Sequence, residues 1–151
     1  MTTISIRRAI LADLADLAVL FDRYRRFYGR AGDRDGASAF LQARLQHADS
    51  TIFIAFDGAC PVGFVQLYPS FSSLSLARVF ILNDLFVEEH CRKNGAGTAL
   101  IAAARAYATS LGARYLTLST AKDNATAQAL YRATGWKRDE QFDEYSLALA
   151  T

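Results

Sequence analysis

The sequence predicts an α/β protein, a mixed sheet with helices on both faces. Three observations lead there. One alternating segment at the N-terminus is followed by two amphipathic helical segments. Three further alternating segments then come in succession as hairpins, and from about residue 95 the order becomes helix, strand, helix. Hairpins give antiparallel neighbours, whereas a strand that returns through a helix joins its sheet in parallel.

Each element has its own signal. "TISIRRA" alternates and reads as a first strand. Over residues 10–28, Leu14, Leu17, Ala18, Phe21, Tyr24 and Tyr28 recur at helical spacing. "GRAGDRDG" breaks that helix, and a second spans 37–47. "TIFIAFDG" ends in an Asp-Gly turn, and "PVGFVQLYPS" follows as its hairpin partner. "SLARVFILNDLFV" is a longer strand, with Asn83 and Asp84 interrupting its apolar run. A helix covers about 95–110 and stops before Gly112, "RYLTLST" is the next strand, a helix over 124–134 closes at Gly135, and "EYSLALA" is a last strand.

A chain of 151 residues is the size of one domain, 1–151, with a core large enough to need no disulfide or metal. Hydrophobic residues make up 52% and charged residues 21%, the balance of a globular protein. The net charge of +2 does not by itself imply a polyanionic partner. Cys60 and Cys91 are outside any CxxC pair, which fits free thiols in a reducing compartment. The start "MTTISIRRAILADL" lacks a signal-peptide core, and no apolar run approaches the ~18 residues of a membrane span. The expected location is cytoplasmic, with no metal, no membrane and no nucleic acid as partner.

"EEHCRKNGAGTAL" (88–100) puts Gly95 and Gly97 where a helix begins, although each glycine costs about 1 kcal/mol there relative to alanine. A helix start offers unpartnered amides and positive potential, which suits phosphate. Thr98 could add a hydroxyl, and Arg92 and Lys93 add charge. The plain alternative is a tight strand-to-helix turn with solvated basic residues. No GK[ST] follows, and Leu100 stands where G-x-G-x-x-G needs its last glycine, so neither a P-loop nor a Rossmann fingerprint is present.

A second segment, "DNATAQALYRATGW" (123–136), opens on an Asp-Asn cap and carries Tyr131. Together the two segments resemble the core motifs of the GNAT superfamily of acetyl-CoA-dependent N-acetyltransferases. Arg92, Gly95 and Gly97 match its R-x-x-G-x-G/A element, and Asn124, Ala127 and Tyr131 match its N-x-x-A-x-x-x-Y element. "ILNDLFV" is similar to the branch of polyamine and yeast histone acetyltransferases. The resemblance implies a GNAT-like fold, with a mostly antiparallel sheet splayed between strands four and five. It implies that the backbone of Leu85, Phe86 and Val87 receives the pantetheine arm of CoA. Arg92, Lys93, Asn94, Gly95, Ala96, Gly97 and Thr98 would hold the pyrophosphate, and Asn124 and Ala127 would line the other side of the arm. Many members dimerise, so a homodimer is expected from the resemblance as well.

The implied reaction is direct attack of a small molecule's primary amine on the acetyl carbonyl. Freeing a lysine-like amine of its proton at pH 7 costs ~4.6 kcal/mol, so a base or water chain is expected. Tyr131 is expected to stabilise the departing thiolate; full transfer from a phenol is uphill by ~2 kcal/mol, which favours a hydrogen bond. The alternative for Tyr131 is a core tyrosine with its hydroxyl at the surface. For the base, Asn83 stands where some polyamine acetyltransferases carry glutamate, and an amide cannot take the proton. Asp84 is the neighbouring candidate, with a structural carboxylate at a strand bulge as the alternative. Glu88 and Glu89 read as exposed charges, His90 as solvated, and Cys91 as a packed small residue.

Acceptors of the family approach the first helices. "FDRYRRFYGRAGDRD" suggests Tyr24, Arg25 and Tyr28 as acceptor contacts, Arg25 holding an anionic group carried by the amine; the alternative is a solvated helix face. Two other function classes compete: a CoA-binding module without catalysis, against which Tyr131 and the arm-binding set argue and for which Asn83 speaks, and a nucleic-acid binder using these arginines and aromatics, against which the low net charge and the CoA-type motifs argue. Turnover of acetyl-CoA separates them.

Overall fold

The computed structural model describes residues 3–150. The chain divides into two compact units, residues 1–119 and 120–151. The first holds β1 (Ile4–Arg8), α1 (Leu14–Phe27), α2 (Arg34–His47), β2 (Thr51–Asp57), β3 (Cys60–Ser72), β4 (Ala77–Val87), α3 (Ala96–Ser110) and β5 (Leu116–Thr117). Single 3-10 turns, Leu11–Asp13 and Glu89–Cys91, precede α1 and α3. The second unit holds α4 (Ala125–Ala133). No helix among the described residues is long and apolar enough to cross a membrane.

The sheet order is β1-β2-β3-β4-β5. The first four strands pair antiparallel, and β5 joins β4 in parallel after the α3 crossover. Register sorts the side chains between two faces. Ile54 lies opposite Phe64, and Phe64 opposite Phe86. These three share one core with Leu17, Leu20 and Phe21 of α1 and Ala37 and Leu41 of α2. On the other face Tyr107 of α3 packs its ring 5.7 Å from Phe53 and 5.6 Å from Phe80. Each such aliphatic or aromatic side chain, fully buried, contributes about 1.5–3 kcal/mol. The helices thus cover both faces, as the periodicity requires.

Differences from expectation lie at element ends. The segment 29–36 does more than break α1: the Asp33 side chain accepts from the Gly36 amide and caps α2, which therefore starts at Arg34 and not at 37. The strand expected over 114–120 pairs only at Leu116 and Thr117. In the second unit, taken by itself, the strand expected over 144–150 forms no ladder, because a strand needs a neighbour and the unit's regular element is a helix.

Candidate active site

The sheet opens where β4 leaves β5. The two strands pair only at Phe80–Leu116 and Ile81–Thr117, although β4 continues to Val87. The register against β3 explains the divergence. Gln66 lies opposite Asp84 and Leu67 opposite Leu82, so Asn83 is an extra, bulged residue two positions beyond the last β4–β5 pair. A bulge bends its strand and increases local twist. From Leu82 to Val87 the β4 edge toward β5 therefore has no strand partner among the described residues. Gly63 keeps β3 close on the opposite side: a Cβ there would sit 2.6 Å from the Phe86 carbonyl oxygen.

The open edge leads through the 3-10 turn Glu89–Cys91 into the glycine turn. Lys93 and Gly95 both have positive φ, 73° and 85°. A Cβ on Gly95 would meet nothing within 4 Å, so glycine answers there to the backbone conformation and not to crowding. The first intrahelical bond of α3 joins the Ala99 amide to the Gly95 carbonyl at 2.9 Å, leaving the amides of Ala96, Gly97 and Thr98 ahead of it. Its first turn carries no acidic side chain. Arg92 is committed to the strand end: its Nε donates to the Val87 carbonyl at 3.0 Å, and its guanidinium lies over the Phe27 and Phe86 rings.

The bulge also turns Asp84 inward. On the face toward α1 its Oδ2 accepts from Gln66 Nε2 at 2.7 Å, and its Oδ1 accepts from Asn83 Nδ2 at 3.1 Å. Gln66 is fully buried, and its Oε1 accepts from Ser50 Oγ at 2.8 Å. The Tyr24 hydroxyl faces the same carboxylate, and burial followed by the Asp84 charge pushes that phenol far above its ordinary range. Burial and then the same charge push Tyr68 up to about 12. Tyr24 reaches this place because it packs against Phe64 and Phe86, with centroids 5.7 and 6.2 Å away.

The arginines of α1 do not gather around that carboxylate. Arg23 pairs with Glu88, Arg26 pairs with Asp22, and Arg25 reaches only the Ala31 carbonyl, at 3.4 Å. Glu88, expected to be exposed, is buried by its pairing with Arg23, whereas Glu89 and His90 are exposed. Cys91 is buried, and burial pushes its thiol up. Tyr28 packs edge-on against Tyr24, 5.2 Å away.

Within the second unit, the Asn124 side chain accepts from the Ala127 amide at 3.2 Å and caps α4. The helix ends when the Trp136 amide bonds the Tyr131 carbonyl at 3.0 Å and the Gly135 amide bonds that of Arg132. The same turn brings the Trp136 ring to 6.0 Å from that of Tyr131.

The sequence profile of the acetyltransferase (GNAT) family matches residues 17–136. The chain belongs to the GNAT acetyltransferase family. An uncharacterized N-acetyltransferase of Bacillus subtilis (strain 168), YhfO, is 48% identical over 143 residues, 95% of this chain and 96% of that one. The crystal structure of a probable acetyltransferase superposes with a TM-score of 0.91 at 39% identity, over 97% of this chain and 99% of that one. An aminoglycoside N-acetyltransferase solved with CoA shares the fold, with a TM-score of 0.83 at 22% identity over 99% of this chain and 97% of that one. As a member of the family, the protein is an acetyl-CoA-dependent acetyltransferase.

This GNAT chain brings several expected residues together in its first unit. The backbone of residues 85–87 and the turn 92–98 follow one another along the chain, joined by the 3-10 turn Glu89–Cys91. Asn83 and Asp84 sit at its upstream end, with Asp84 beside Tyr24. Gln66 and Ser50 were not anticipated. The signal was available: Gln66 is the lone polar side chain inside "PVGFVQLY", on the same strand face as Phe64.

Proposed function

We propose that this acetyltransferase transfers the acetyl group of acetyl-CoA to a primary amine of a small molecule by direct attack. The observation that carries the reading is the β4 edge, open from Leu82 to Val87 and leading into the turn at α3. An extended amide-bearing arm needs backbone donors and acceptors in line, and a pyrophosphate needs convergent amides. The two occur here in the order that one ligand would use. Leu85, Phe86 and Val87 take the pantetheine arm, Lys93 to Thr98 take the pyrophosphate, and Arg92 supports the strand end and adds charge. Asn124 and Ala127 contribute from α4.

The chemistry divides among few groups. The acceptor enters as an ammonium, loses one proton, and its nitrogen lone pair forms the C–N bond at the acetyl carbonyl. The C–S bond breaks, and the thiolate keeps the electron pair and is protonated. The products are an N-acetyl amide, free CoA thiol and one proton. Asp84, the carboxylate next to Asn83, takes the first proton, because the Asn83 amide cannot accept it. Tyr131 donates a hydrogen bond to the departing thiolate.

The test is a thiol-release screen over amino acids, polyamines, aminoglycosides and peptides. Turnover with a primary amine, absent with the matching alcohol, is the expected result. Tight acetyl-CoA binding without turnover on any acceptor would favour a binding module instead.

A further inference from the structure

Four carboxylates are buried among the described residues: Asp13, Asp22, Asp84 and Glu88. Three of them are bonded to an arginine, Asp13 to Arg7, Asp22 to Arg26 and Glu88 to Arg23. Asp84, 5% exposed, is instead bonded only by the uncharged amides of Gln66 and Asn83 among the described residues. A buried anion without a cation is costly, since neutral donors replace only part of its lost hydration. The remaining charged or titratable neighbours do not supply one. Tyr28 of α1 and Tyr68 of β3 are phenols, and Arg44 is bonded to Asp49 at 2.7 Å. Gln66 Nε2, bonded to Asp84, also donates to the Tyr68 hydroxyl at 3.3 Å, and the Tyr24 ring packs against Phe64 and Phe86. A buried carboxylate with no cation, in a region rich in aromatic side chains, suits an alkylammonium group.

We propose that Asp84 is the seat of the acceptor's ammonium group, and that the acceptors are alkyl primary amines with no anionic group beside the amine. Gln66 is the positioning residue of this seat. Ser50 fixes its carbonyl end, so its amide nitrogen must face Asp84. An amino acid brings its carboxylate within a few ångströms of the nitrogen it presents. That like charge is repelled by Asp84, and the arginines of α1 are turned elsewhere: Arg23 and Arg26 are paired with carboxylates, and Arg25 reaches toward the Ala31 carbonyl. The inference rests on the acetyltransferase reading and names its acceptor class.

The experiment measures kcat and KM for matched pairs, an amino acid against its decarboxylated amine, with acetyl-CoA affinity followed by calorimetry. Wild type should prefer the amine by tenfold or more. Asp84→Asn should lower kcat with both substrates, since Asp84 also takes the proton, and should bring their KM values together, while binding acetyl-CoA as wild type does. Gln66→Met, which keeps the volume but removes the donor, should raise the amine KM about tenfold. Gln66→His, which restores an N–H, should recover part of the loss, which filling the core alone would not do. A preference for the amino acid that is lost in Arg25→Ala, or Asp84 and Gln66 variants with unaltered discrimination, overturns the inference and leaves the acetyltransferase reading standing. Absence of turnover with every amine, acetyl-CoA being bound, overturns both.

Discussion

Gly63→Ala tests whether the separation of β3 and β4 holds the donor edge in place. The new Cβ would lie 2.6 Å from the Phe86 carbonyl oxygen and 3.3 Å from Val87 Cα. Both are backbone atoms, so no side chain can rotate away. Ordinary contact begins at 3.4 Å, so β4 must retreat by about 0.8 Å at Phe86. Overpacking of this kind costs about 1–3 kcal/mol, of which a stiffer unfolded chain returns about 0.4–1. A net loss of about 1.3 kcal/mol lowers Tm by about 3–5 °C in a chain of this length. The same retreat shifts the Phe86 backbone, which is proposed to receive the pantetheine arm, so acetyl-CoA affinity should fall in a protein that is still folded at assay temperature. Differential scanning calorimetry and titration calorimetry read the two effects. Gly32→Ala is the control, because its Cβ would meet only the flexible Arg26 side chain, at 3.3 Å. A Gly63→Ala protein with wild-type Tm and wild-type acetyl-CoA affinity would refute the argument that this close approach sets the edge.

Gly97→Val, in the first turn of α3, should weaken acetyl-CoA binding strongly without unfolding the protein; unchanged affinity by calorimetry would remove the turn from the binding site. Tyr131→Phe should lower kcat by about 10²–10³ and leave acetyl-CoA affinity intact, as loss of one donor to developing charge does elsewhere. Single-turnover kinetics at the wild-type rate would return Tyr131 to a packing role. Stability should fall on acidification for a definite reason. The Arg7 hydrogen bonds and then the Ile10 amide hold Asp13 below the usual carboxylate range, and the Arg26 side chain and then the Asp33 amide do the same for Asp22. A depressed folded-state value adds stability above the unfolded value of about 3.9, and that stability is lost as pH falls through the folded one. Urea unfolding should therefore show a smaller acid loss in Asp13→Asn than in wild type, and equal losses would deny Asp13 that part.

The parts of the molecule that could be read from sequence are those with local causes. Helical spacing located α1, and the glycine turn and the Asn124 cap located the starts of α3 and α4, because caps and turns act within four residues. The polar pair Asn83–Asp84 marked an irregularity in β4, yet alternation could not say which of the two faces inward. That depends on the bulge, and a bulge is a relation between two strands with no signature in either one alone. The brevity of β4–β5 pairing is hidden for the same reason. Glu88 looked like an exposed charge because its partner Arg23 lies 65 positions away. Arg92 read as a phosphate ligand from its motif, while its bond to Val87 and its stacking on Phe27 and Phe86 depend on where α1 ends.

The central claim is transfer of an acetyl group from acetyl-CoA to nitrogen. The most direct measurement is carbon NMR of carbonyl-labelled acetyl-CoA incubated with the enzyme and an alkyl primary amine. The account predicts that the thioester carbonyl signal disappears while an N-acetyl amide signal grows in equal amount, with one thiol released per amide. Labelled free acetate in place of the amide, or a thioester signal that stays unchanged while the protein binds acetyl-CoA, would contradict it.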